Sequence, residues 1–207
     1  FDFFASVLII IAAHFCYNFM VYKTKDSLNI LFISLTLLCH CRYESFAYAG
    51  VIILMLLIFN YIKMKDLFSK YSFICFVFIS PIIIQRIISV GQYEQPDGAP
   101  LFSLDYLKNN TILFLQNFYR LDMFLPYNTI LFCATIVFSI PTLIYLLDRK
   151  IGSKQNKKID ILLILFVLCA ANLIIIGFHV AGDITANTQV RYFIPFCIFT
   201  VILSIVL

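Results

Sequence analysis

Charge is what this sequence has least of. Only 13% of its 207 residues are Asp, Glu, Lys or Arg, against about 25% in an ordinary soluble domain. At the same time 62% are hydrophobic, and the mean hydropathy is +0.97. One water-soluble core of this size cannot hide so much apolar surface, so the composition points to a bilayer as solvent. Tryptophan is absent, which leaves tyrosine to supply the aromatic anchors at any membrane border. There is no charged n-region followed by a cleavage site, as a signal peptide requires, and neither an internal repeat nor a soluble domain is visible. The chain opens on Phe1 rather than Met and closes on Leu207 inside an apolar run. It is expected to be a segment cut from a longer protein.

Cysteine is present but not as a framework. The seven cysteines lie mostly within apolar runs, as at Cys16, Cys75, Cys133, Cys169 and Cys197, which is how small buried hydrophobes are used. Cys39-His40-Cys41 hints at a metal, but adjacent residues do not readily close on one ion, and no second Cys/His cluster accompanies them. No metal and no cofactor is expected.

Seven apolar runs are read as membrane spans: 3–22, 28–40, 45–62, 71–90, 127–147, 161–178 and a last one opening near Arg191. About 20 residues are needed to cross ~30 Å of hydrocarbon, so the run 28–40 is short. Pro81 removes a backbone bond from the fourth run and is expected to kink it. The polar segment 91–126 holds a turn-rich stretch, Gln95 to Pro100, and then an amphipathic run, 104–121, too polar to span and read as a helix lying on the interface. Asn109-Asn110-Thr111 within it matches a glycosylation sequon. The expected fold is an all-α polytopic transmembrane bundle of about seven spans, with one interfacial helix on the outer side.

Lysine and arginine are segregated along this pattern. With the loops 23–26, 63–70 and 148–158 cytoplasmic, those loops carry nine of the ten lysines but only Arg149 among the arginines. The segments 40–45, 91–126 and 179–191 then face outward. Lysine sets topology on one side, while Arg42, Arg86, Arg120 and Arg191 stand at the other border, where a planar guanidinium can bind phosphate or carboxylate bidentately.

Each candidate has a structural reading beside its chemical one. Arg42 and Glu44 are either an interfacial ion pair, Glu44 favouring a helix N-terminus, or a phosphate-binding cation and an orienting acid. Asp183 and Arg191 flank a polar turn and are either interfacial anchors or a second acid and the second half of a phosphate clamp. Arg86 is either a snorkelling side chain or a third phosphate ligand. His179, between Gly177 and Gly182, is either a hydrogen-bonding helix end or a proton-transfer group. Arg120 with Asp122 reads as headgroup contact.

Two stretches resemble a known group. Arg42-Tyr43-Glu44 leading into a long helix, and Asp183 followed by Arg191-Tyr192-Phe193-Ile194-Pro195, are similar to motifs of the C-type membrane glycosyltransferases (the GT-C superfamily). Pro100 to Leu104 and Asn109 to Phe118 resemble their amphipathic outer segment. The resemblance implies transfer of a sugar from a polyprenyl-phosphate carrier to a lipid, glycan or protein acceptor at the extracytoplasmic face. It makes Arg42, Arg191 and Arg86 phosphate ligands and Glu44 and Asp183 candidate bases. The family's acidic first outer loop has no clear match, Asp2 being at most a remnant, so this chain is expected to carry central or later helices. The partners implied are membrane lipid and a lipid-linked sugar donor, not nucleic acid. The rival readings are a polysaccharide polymerase or ligase, and a transporter or flippase of lipid-linked sugars.

Overall fold

In a computed structural model, the described residues are 2–41, 45–90, 103–117, 143, 144, 147, 148, 156–179, 198, 199 and 202. Among them there is no strand. The helices are α1 (Asp2–Tyr22), α2 (Lys25–Cys41), α3 (Ser45–Ile58), α4 (Lys70–Val90), α5 (Leu104–Asn117) and α6 (Lys157–Phe178), with a short 3-10 helix, Met64–Phe68, before α4. The all-α expectation therefore holds for the described residues. α6 is long and apolar enough to cross a membrane, by length and composition, whereas Val7–Tyr22, Ser45–Ile58 and Lys70–Gln85 are shorter apolar stretches. The expected spans at 127–147 and beyond Arg191 lie outside the described residues, except for isolated helical positions.

Helix boundaries differ from the sequence expectation wherever a local cap decides them. Lys23 takes a left-handed conformation (φ 52°) and donates its N–H to Phe19 O at 2.8 Å, which closes α1. Thr24 then caps α2, its Oγ1 accepting from Ser27 N–H at 3.2 Å, with Asp26 in the first turn facing the positive end of the helix dipole. The expected basic turn 23–26 is thus only two residues long. α2 begins three residues before the apolar run does, and its 17 residues extend about 25 Å.

The third run stops at Ile58 rather than reaching residue 62, because Asn60 is left-handed (φ 59°). Its N–H donates to Leu57 O at 3.0 Å and that of Tyr61 to Leu56 O at 2.9 Å, the paired bonds of a Schellman end. Asn tolerates this conformation better than residues other than Gly. The turn faces Tyr61 inward. At the start of α6, Asn156 is the N-cap and accepts from Lys158 N–H at 3.2 Å. The helix therefore starts inside the stretch expected to be a solvated loop and carries Asp160 into the core.

Pro81 does not interrupt α4. Its missing N–H leaves Val77 O without its helical donor, and Ser80 Oγ donates to that carbonyl at 2.8 Å. None of the described α4 side chains is buried, and Phe73, Phe76 and Phe78 are 66%, 61% and 63% exposed. By contrast α1 buries a stripe at Ala5, Leu8, Ala12, Cys16, Phe19 and Met20, the spacing of one helical face.

α3 and α6 run antiparallel. Tyr61 bonds Asp160 at the start of α6, and Tyr48 bonds Asn172 farther along it. α1 meets the same end of α6, where Lys157 Nζ donates to Val21 O at 3.1 Å. The turns at 23–24, 59–69 and 156–160 therefore gather at one end of the bundle, bringing exposed Lys23, Lys25, Lys63, Lys65, Lys70, Lys157 and Lys158 together. Ser45 and the C-terminus of α6 stand at the other. Replacing Asn60 tests the turn that sets this arrangement: Asn60→Val should destabilise the fold by about 2 kcal/mol and Asn60→Gly should not, read as thermal unfolding of the purified protein in detergent.

Candidate functional site

Two polar constellations stand out in an otherwise apolar bundle, one at each end. At the lysine-rich end Asp160 is fully buried and accepts a hydrogen bond from Tyr61 Oη at 2.8 Å. Lys23 Nζ lies 4.9 Å from the centre of the Tyr61 ring, within cation–π range. Tyr61 sits in the turn beyond α3. Its burial first, and then the bond to Asp160 and the charge of that carboxylate, push its phenol above the ordinary tyrosine range. Asp66 accepts from Lys63 N–H at 2.8 Å and starts the 3-10 helix. These contacts tie α1, α3 and α6 together. They are architecture, and sequence reasoning missed Asp160 because it adjoins a lysine-rich stretch that reads as loop.

At the opposite end α5 is docked on the C-terminus of α6. Ser103 N–H donates to Phe178 O at 3.1 Å, and Ser103 Oγ accepts from Tyr106 N–H at 3.1 Å, capping α5. Asn110 is buried, and its Nδ2 donates to both Gly177 O and His179 O at 3.0 Å. One side chain thereby serves two of the carbonyls that every helix end leaves without intrahelical donors. The helices approach closely here: a Cβ added at Gly177 would lie 2.8 Å from Leu107 Cδ1. The middle residue of the sequon is thus a structural pin, while Asn109 and Thr111 on either side are exposed.

His179 is the C-cap of α6 and half-buried, its N–H donating to Ile176 O at 3.1 Å. Its backbone fulfils the expectation of a hydrogen-bonding helix end. Between the two ends, Asn172 Nδ2 donates to Tyr48 Oη, and the Tyr48 ring meets Phe199 edge-on, 5.5 Å between centres. Among the described residues, Asn172 Oδ1 and Ser45 Oγ are buried without a hydrogen-bond partner. Ser45 lies one turn before Tyr48 on α3. A lone Asn inside the apolar run 161–178 was the available sequence signal for this cluster.

The other candidates are not all within view. Arg42, Glu44, Asp183 and Arg191 lie outside the described residues, as do Arg120 and Asp122. Arg86 is in the last third of α4, and only its backbone is described. No group of three or more His, Cys, Asp or Glu able to hold a metal occurs among the described residues. In comparison with known proteins, no family model matches the chain, and no curated protein or solved structure shows significant similarity to it.

Two measurements test the end constellations. Tyr61→Phe should cost about 1–3 kcal/mol, as expected for removing a partner from a buried hydrogen bond. Because the folded phenol titrates above its unfolded value, its stabilisation is complete below pH about 10 and is lost as pH rises toward the folded value. The melting temperature of the unmodified chain should therefore fall more steeply above pH 10 than that of Tyr61→Phe. Asn110→Ala should speed amide exchange in α5 while leaving α3 protected, because the bonds it removes join only α5 and α6.

Proposed function

We propose that this chain is part of a polytopic membrane glycosyltransferase that moves a sugar from a polyprenyl-phosphate carrier to an acceptor at the membrane face away from the lysines. The observation that carries the reading is the polarity of the bundle. Lys23, Lys25, Lys63, Lys65, Lys70, Lys157 and Lys158 meet at one end, as loops facing the cytoplasm should. Cys41, Ser45 and His179, which border the segments 42–44 and 180–191 in sequence, stand at the other together with α5. The exposed apolar side chains around α4 suit hydrocarbon rather than water. α5 stands at the far end and α6 starts at the basic end, which is the parity that a span over 127–147 requires.

On this reading Arg42, Arg191 and Arg86 hold the carrier phosphate and stabilise it as it becomes the leaving group. Glu44 or Asp183 takes the proton of the acceptor hydroxyl, and His179 passes protons at the same border. A guanidinium fork grips two phosphate oxygens where an ammonium grips as a point charge. In membranes carrying the full-length protein, a panel of radiolabelled polyprenyl-phosphate hexoses, N-acetylhexosamines and pentoses should include one donor whose sugar is transferred. Arg42→Lys should lower that transfer about a hundredfold at unchanged protein level. Transfer from no donor of the panel, or full transfer by Arg42→Lys, contradicts the assignment.

A further inference from the structure

The 3-10 helix Met64–Phe68 presents an unusual pair of side chains. Phe68 is 82% exposed and Met64 60%, and they alternate with exposed Lys63, Lys65 and Lys70. Asp66 is half-buried and accepts from Lys63 N–H at 2.8 Å, and Asp160 is buried against Tyr61. Of the acids in the three lysine-bearing loops, Asp26 and Asp148 are exposed. Lys157 is held on Val21 O and Lys23 stacks over Tyr61. Exposed Lys63, Lys65 and Lys70 thus flank the two exposed apolar side chains along one short segment.

We infer that this segment docks anionic phospholipid headgroups: Met64 and Phe68 enter the acyl boundary while Lys63, Lys65 and Lys70 meet lipid phosphates. Apolar insertion and basic residues near an anionic surface add in this geometry, each Lys contributing attraction that salt screens. The inference rests on the membrane reading above but not on the glycosyltransferase assignment. It goes beyond topology, because it assigns the lysines of one short segment a ligand and its neighbours a depth.

The absence of tryptophan makes the test direct, since the indole of F68W is the only one in the chain. F68W protein is reconstituted in vesicles of phosphatidylcholine with phosphatidylglycerol, and one lipid or the other carries bromine on its acyl chains. Flotation first establishes that the protein stays with the vesicles; failure there overturns the membrane reading and this inference together. In floated vesicles, brominated phosphatidylglycerol at equal mole fraction should quench the indole at least about threefold more than brominated phosphatidylcholine at low salt. The excess should disappear at high salt and in F68W carrying K63Q, K65Q and K70Q. Equal quenching by the two lipids, quenching by neither, or an excess that survives the three Lys→Gln changes overturns the inference while leaving the membrane reading intact.

Discussion

The bond between Tyr61 and the fully buried Asp160 is the constraint on which the bundle depends. A carboxylate removed from water must find a partner, and a partner removed from it leaves a costly orphan. The phenol reaches Asp160 only because α3 ends at a left-handed Asn60, and the carboxylate reaches the phenol only because α6 begins at Asn156, ahead of its apolar run. Two caps therefore fix the register of two helices. With Tyr48 on Asn172 as the second point of contact, the antiparallel pairing of α3 and α6 follows.

That pairing sorts the molecule into two unlike ends. One gathers lysines from three loops, with Lys157 and Lys23 committed to holding α1 and the Tyr61 turn in place. The other is closed by α5, pinned by Asn110 on the carbonyls of Gly177 and His179. Between them α4 leaves its aromatic side chains exposed, and Ser80 restores a donor to the carbonyl that Pro81 leaves bare. A helix that exposes several phenylalanines and keeps a donor for the carbonyl beside its proline suits a solvent that offers no hydrogen bonds. Among the described helices, α6 is the one long and apolar enough to cross a membrane.

Hydrophobic runs located α1, α2, α3, α4 and α6, because apolar stretches of this length are a strong signal, whereas the 3-10 helix Met64–Phe68 falls in a stretch expected to be a basic loop. The amphipathic stretch 104–121 likewise contains α5. The sequence was less legible where polar residues have structural work. Asp160 sits beside lysines and reads as loop, yet it is core. Asn110 sits in a sequon and reads as a modification motif, yet it caps a helix. Asn60 reads as one more residue of an apolar run, yet it ends the helix. Asn172 passed unremarked inside α6, though an amide among aliphatic side chains requires a partner, and Tyr48 supplies it. In each case the deciding partner comes from a distant element or from local dihedral angles, neither of which periodicity encodes. Of the proposed chemical residues, His179 alone is described with its side chain, and it is placed as a helix cap; Arg42, Glu44, Asp183 and Arg191 remain assigned by their resemblance to a glycosyltransferase pattern.

A membrane setting requires the two ends to lie on opposite sides of a lipid sheet. Single cysteines at exposed Lys65 and exposed Asn109, compared with the unmodified chain as background, can be challenged with a membrane-impermeant maleimide in sealed vesicles of uniform orientation. The account predicts that one position reacts at once and the other only after the vesicles are opened. Immediate reaction of both, or protection of both until opening, would contradict it.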